Sequence, residues 1–116
     1  MKPLLHAKNS VKRHGGKVED YLPFHDWMDS SKAHVPDMRH RALLHSSFGI
    51  YIGEQVFGVS FTNSDGRELS VRDILEEHVI EDMQRIPTVQ DYLGDMPFYD
   101  WLGGPARKTT TYTLVD

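Results

Sequence analysis

Val35-Pro36 cuts the stretch Asp20–Ser46, DYLPFHDWMDSSKAHVPDMRHRALLHS, into two helical segments, and this break constrains the chain more than any other feature. Proline lacks an amide proton and disfavours a helical conformation in the residue before it, so one helix cannot run through. The two segments are predicted to fold back on each other as an antiparallel pair. Residues at steps of four and seven return nearly to the same azimuth on a helix, so the first segment aligns His25, Asp29 and Lys32 on one stripe. Leu22, Phe24, Trp27 and Met28 surround that stripe with apolar surface. The first helix of the pair is read from about Glu19 or Asp20 to His34, and because Pro23 is tolerable only in the first turn its regular part is expected to begin as late as Leu22.

The second segment is predicted to run from Asp37 to about Gly58. Asp37 supplies a favourable charge at its N-terminus. Met38, Ala42, His45, Gly49, Ile52 and Val56 line one seam, and the repeated small residues Ala42, Gly49 and Gly53 predict a closely packed neighbour. Trp27, Met28, Phe48 and Tyr51 stand at helical spacing and are read as core. Before the break, Pro3 and Gly15-Gly16 bracket a first helix over residues 4–14, with Leu4, Ala7 and Val11 inward and His6 close to that face. After it, Phe57, Val59 and Phe61 alternate with small and polar residues, and Asn63-Ser64-Asp65-Gly66 is a turn signal, giving a β-hairpin near residues 56–70. Ser70 with Asp73, and Thr88 with Asp91, form capping boxes that open helices at Val71 and Val89. The first is read to about Arg85, with Val71, Ile74, Leu75, His78 and Val79 as its inner stripe, and the second to about Asp95.

The fold class that follows is mainly α: a compact domain of four to five helices over residues 1–96, one small hairpin, and a C-terminal tail over 97–116. The tail holds three aromatics within Pro97–Leu102, a Gly103-Gly104-Pro105 hinge and the β-branched run RKTTTYTLV. Its extended end suits strand addition to another chain, so a homo-oligomer or a host-protein contact through the tail is expected.

The net charge of −4 and the scattering of 13 basic residues argue against nucleic acid as a partner. Lys8, Lys12, Arg13 and Lys17 form the one local basic patch, read as a solvated helix face. Without cysteine there are no disulfides and no thiolate metal sites. No stretch is long enough to span a membrane, and a cytoplasmic location is expected.

Histidine and aspartate carry whatever chemistry remains. Neutral imidazole with carboxylate suits a divalent ion such as zinc, manganese or iron(II). His40 and His45 are five apart, about 140° round a regular helix, too divergent for one ion to take both. The plain alternative is that His25 with Asp29, and His78 with Asp82, are structural pairs one helical turn apart. Glu81 with Arg85, and Asp37 with Arg41, are read as surface ion pairs.

The order His6, His25-Asp26, Asp82 resembles that of the HD-domain metal-dependent phosphohydrolases, an all-helical superfamily. The resemblance implies metal ligation by His6, His25, Asp26 and Asp82 (or Asp73), catalytic roles for Asp26 and for Lys32 near a phosphate, and accessory roles for His40 or His45. The chain departs from the pattern at Pro23, in lacking Gly-Lys after the His-Asp pair, and in its length. HGGKVEDYLPFHDWMDSSKAH, RHRALLH, FTNSDGRELSVRDILEEHVIEDM and RIPTVQDYL also resemble a family of small bacterial and phage proteins of unassigned activity, over roughly residues 6–93. The function expected is a small phage-type binding or effector protein. Its His/Asp pocket, including Asp29, His40, His45 and His78, would take a metal ion or a phosphate-bearing small molecule; the alternative is an HD-like phosphohydrolase.

Overall fold

A computed structural model describes residues 1–104 of the chain. The strand read over Arg107–Val115 lies outside the described residues. The elements are α1 (Pro3–His14), α2 (Val18–Asp29), α3 (Arg41–Leu44), α4 (Ser47–Phe57), β1 (Ser60–Thr62), β2 (Glu68–Ser70), α5 (Val71–Met83) and α6 (Val89–Leu93). Single 3₁₀ turns at Ser30–Ala33, Met38–His40 and Asp100–Leu102 complete them. The domain is mainly helical, with α1 laid along α2 and α5 packed on both α2 and α4.

Local chemistry sets most of these boundaries. Pro3 opens α1, and Gly15 closes it at φ 79°. The Ser70 hydroxyl accepts the Asp73 amide at the start of α5, and Thr88 and Asp91 cap α6 reciprocally. Gln84 ends α5 in the left-handed region, two residues before Ile86-Pro87. β1 and β2 are antiparallel, with Phe61 opposite Leu69. Their turn is docked on the rest of the chain: Asp20 accepts from the amide and hydroxyl of Ser64, and Asn63 Nδ2 donates to the His14 carbonyl and the Tyr21 hydroxyl.

Several expectations need correction. α2 starts at Val18 and carries Pro23 in its interior. Pro23 and Glu19, the residue whose carbonyl it leaves without a partner, both lie on the exposed side. The helix read over Asp37–Gly58 is broken at His45. There the backbone makes an inverse γ-turn (φ −84°, ψ 65°), with the Ser46 amide donating to the Leu44 carbonyl at 2.9 Å. Ser46 then caps α4 by accepting the Gly49 amide. Gly49 is required by this elbow and not by a neighbouring helix, since a Cβ there would sit 1.8 Å from the Leu44 carbonyl oxygen. Gly53 does mark a close neighbour, its missing Cβ lying 2.2 Å from Leu75 Cδ1 and 3.1 Å from the Trp27 ring.

With the seam rotated, Met38, Val56, Phe48 and Tyr51 face outward, while Gly49, Ile50 and Gly53 face in. Leu4 is likewise half-exposed, and α1 turns His6, Ala7 and Ser10 inward instead. Phe98, Tyr99 and Trp101 are exposed, Tyr99 and Trp101 stacking on each other.

The core divides into two parts. Tyr21, Phe24, Met28, Ile50, Leu69, Val71, Ile74, Leu75 and Val79 form an apolar cluster, edged by Phe57 and Phe61. Beside it, equally buried, lie His6, Ser10, His25, Asp29, His45 and His78.

Candidate metal centre

Three helices each turn a pair of polar residues, one helical turn apart, into the same space: His6 and Ser10 from α1, His25 and Asp29 from α2, His78 and Asp82 from α5. The elbow between α3 and α4 adds His45. Its place is fixed by the γ-turn and by Tyr92 of α6, whose hydroxyl donates to the His45 carbonyl at 2.7 Å.

At the centre stand Asp29, His45, His78 and Asp82, whose donor atoms all lie within 4.8 Å of one another. His78 Nε2 is 3.3 Å from Asp29 Oδ1 and 3.3 Å from Asp82 Oδ2. His45 Nε2 is 3.0 Å from Asp82 Oδ2 and 3.6 Å from Asp29 Oδ1. Ligands at 2.0–2.1 Å from a tetrahedral zinc are separated by about 3.3–3.4 Å, because a tetrahedron's edge is about 1.63 times its centre-to-corner distance. The four separations straddle that edge. The His45 and His78 rings meet at 68°, and the Nε2 atoms of both approach the same two oxygens, Asp29 Oδ1 and Asp82 Oδ2.

The electrostatics point the same way. Burial opposes ionisation of Asp82, but hydrogen bonds from His45, His6 and His78 hold its pKa far below the usual carboxylate value. Burial also opposes the Asp29 anion, and the bond from His78 together with the charges of His78, Lys32 and His45 outweighs it and lowers the pKa. Burial lowers the pKa of His45 in spite of Asp82. On His78 burial acts in the same sense, but the two carboxylates overcome it and raise the pKa. Two ionised carboxylates thus face two imidazoles of which one is kept neutral, and the space between them favours positive charge. Asp29 Oδ2 is buried without a hydrogen-bond donor, its nearest cation being Lys32 Nζ at 3.9 Å. Two carboxylates with two imidazoles, once an ion takes the place of a proton on His78, match the charge and donor preferences of a divalent transition ion. The residues therefore fit a metal.

His6, His25 and His78 also bring nitrogens within 4.8 Å of one another. In this second set the ring planes are nearly parallel: His6 lies face to face on His78 at 3.8 Å and 24°, while His25 meets His78 edge to edge through the Nδ1 atoms, their planes differing by 21°. Lone pairs lie in the ring plane, so stacked imidazoles direct them side by side and not at one ion. These rings support the centre. His6 Nε2 meets Asp82 Oδ1 at 3.1 Å, its Nδ1 meets Glu81 Oε1 at 2.6 Å, and Glu81 is paired with Arg13. His25 Nδ1 lies 2.9 Å from His78 Nδ1, and burial pushes the pKa of His25 down to about 3.

Of the residues singled out from the sequence, His6, His25, Asp29, His45, His78 and Asp82 are brought together. Asp26 is exposed, since adjacent residues on a helix diverge by about 100°, and the His-Asp dipeptide does not act as a unit. Asp73 is exposed as well. Lys32 is half-exposed at the edge, and His40 is buried against Ser31, edge-on to His45. Glu81 was paired with Arg85 in the sequence reading and belongs instead to His6, while Arg85 pairs with Asp91. Asp37 pairs with Arg39, and Arg41 lies 3.7 Å from Asp82. Ser10 went unnoticed, although its i,i+4 relation to His6 repeats the spacing of His25 with Asp29 and of His78 with Asp82.

A family model described as a domain of unknown function, DUF6915, matches residues 1–102. The chain belongs to this family. The match continues past Asp95, where the sequence resemblance had stopped, through the 3₁₀ turn Asp100–Leu102. Every residue of the candidate centre lies inside the DUF6915 domain. Comparison with curated proteins and with solved structures gives no match. Among the described residues no helix is long and apolar enough to cross a membrane.

Proposed function

We propose that this DUF6915 domain is a metal-binding module that holds one divalent transition ion through Asp29, His45, His78 and Asp82. The observation that carries the reading is the closed ring of four buried donor atoms from three separate parts of the fold, in which each imidazole Nε2 lies 3.0–3.6 Å from an oxygen of both aspartates. Zinc suits the distances best. Calcium requires longer bonds and more oxygens, and magnesium an octahedron that retains water.

The site is also closed: His45 and His78 are fully buried, and the Asp29 and Asp82 side chains are 7% and 2% exposed. Four protein ligands fill a tetrahedron, as in structural zinc sites, whereas catalytic zinc keeps a position for water or substrate. This favours a binding module over a phosphohydrolase. The ion would tie α2, α5 and the α3–α4 elbow into one body.

The test is elemental analysis of protein purified without chelator, followed by titration of the metal-free protein with cobalt(II). One ion per chain and the intense visible bands of tetrahedral cobalt are expected, both lost in Asp29→Asn and His45→Ala and both kept in Asp26→Ala. Absence of bound metal, or loss of it in Asp26→Ala with retention in Asp29→Asn, would overturn the assignment.

A further inference from the structure

We infer that His25 and Ser10 are positioning residues that hold His78 in the one tautomer able to bind an ion through Nε2. The inference rests on the metal reading and goes beyond it, since neither residue supplies a ligand.

It follows from counting protons along a buried chain of hydrogen bonds. The Ser10 hydroxyl donates to the carbonyl of His6, one turn earlier in α1, at 3.2 Å. A hydroxyl has a single proton and can also accept, so with that proton on the His6 carbonyl Ser10 Oγ accepts from His25 Nε2, 2.9 Å away, and this is the direction in which an ion on His78 Nε2 requires the chain to run. The His25 proton therefore sits on Nε2, which leaves Nδ1 with a bare lone pair. That lone pair faces His78 Nδ1 at 2.9 Å, a distance that needs one proton between the nitrogens and has no room for two. His78 must then carry a proton on Nδ1 and donate it. The nitrogen left free for an ion is Nε2, the atom that faces Asp29 and Asp82.

Metal-bound histidines are commonly oriented by an acceptor on the other ring nitrogen. Here the acceptor is a second imidazole, itself oriented by a hydroxyl anchored to a helix backbone. Both residues are buried, Ser10 1% and His25 1% exposed, so water does not compete for the links. His45 has no such support: its Nδ1 is buried without a partner. His78 is thus the ligand whose orientation is set in advance.

The experiment uses the full chain. Zinc affinity is measured by competition with a chromogenic chelator for the wild type, His25→Ala, His25→Asn and Ser10→Ala, and imidazole ¹⁵N spectra are recorded with and without zinc. His25→Ala is expected to weaken zinc binding by about 10–100-fold. His25→Asn, which places an amide oxygen near the old Nδ1, should recover most of the loss, and Ser10→Ala should show a smaller one. The wild-type spectra should place the proton of His25 on Nε2 in both states, and that of zinc-loaded His78 on Nδ1. Unchanged affinity in His25→Ala, or zinc on His78 Nδ1, would overturn the inference. If the wild type binds no zinc, the metal reading fails, and the metal-free spectrum still decides the relay by the tautomer of His25.

Discussion

Helix α2 has two inward faces that are equally buried and held by opposite means. Tyr21, Phe24 and Met28 pack against Ile50, Ile74, Leu75 and the aromatic edge of the hairpin, and their burial is favourable by itself at about 25 cal/mol per Å² of apolar surface. His25 and Asp29 are removed from water just as fully, where an unpartnered polar or charged group is destabilising. The first face tolerates imperfect partners, because any apolar neighbour will serve. The second depends on particular atoms at particular distances. α5 repeats the division, with Val71, Ile74, Leu75 and Val79 on one part of its surface and His78 and Asp82 on another. A domain of this size gains rigidity from the polar half only if its charges are balanced: the N-terminal ammonium and Arg41 lie 3.1 and 3.7 Å from Asp82 and Lys32 lies 3.9 Å from Asp29, and on the proposed reading a bound cation would complete that balance.

The comparison breaks if the polar half is indifferent to metal. Zinc at about a thousand times its dissociation constant should add about 4 kcal/mol, a rise of roughly 15–30 °C in melting temperature for a domain of this size. Coincident melting curves with zinc and with chelator would remove the distinction between the halves.

It sharpens if damage to the apolar half leaves the metal response intact. Leu75→Ala should destabilise by about 2–4 kcal/mol through loss of packing, with the zinc-induced shift unchanged. A zinc response lost along with the leucine would mean that the two halves are one unit.

The elbow should respond at the next level. Gly49→Ala is expected to destabilise by about 1–3 kcal/mol because the new methyl group meets the Leu44 carbonyl, and to weaken zinc binding by displacing His45. Gly53→Ala, which meets Leu75, should affect stability with little change in binding.

The halves should also differ towards acid. In metal-free protein the unfolded chain takes up a proton on His25 near pH 6.5, while the folded chain does so only at about 3. Between those values the unfolded state binds more protons, so stability falls as pH falls, by about 1.4 kcal/mol per unit from this residue. His45 acts in the same direction, whereas the stabilisation from His78, whose pKa is raised, is lost as pH rises above 6.5 and is nearly constant below it. A net decline from pH 6.5 to 5 is expected in chemical denaturation, and a flat profile would show that His25 is solvated.

Tyr92→Phe, which removes one hydrogen bond to the His45 carbonyl, should cost about 0.5–1.5 kcal/mol and loosen zinc binding slightly.

Much of this molecule was legible in the sequence by itself. The helices, the hairpin and its turn, and the Ser70 and Thr88 caps follow from periodicity and local hydrogen bonding, which act within a few residues. The concentration of histidine and aspartate on inward stripes marked the region of the site for the same reason. Tertiary structure decided what those stripes meet. Asp26 and Asp29 are equally good ligands on paper, and only the rotation of α2 in the fold turns one to solvent and the other inward. His45, already a pocket candidate in the sequence, is turned onto Asp82 because the chain breaks at Leu44–Ser46, and that break is held by a carbonyl folded over Gly49 and by Tyr92, a contact that no local pattern encodes. Periodicity can say which residues share a face. Convergence of four atoms within a few ångströms is set by how two helices and an elbow pack.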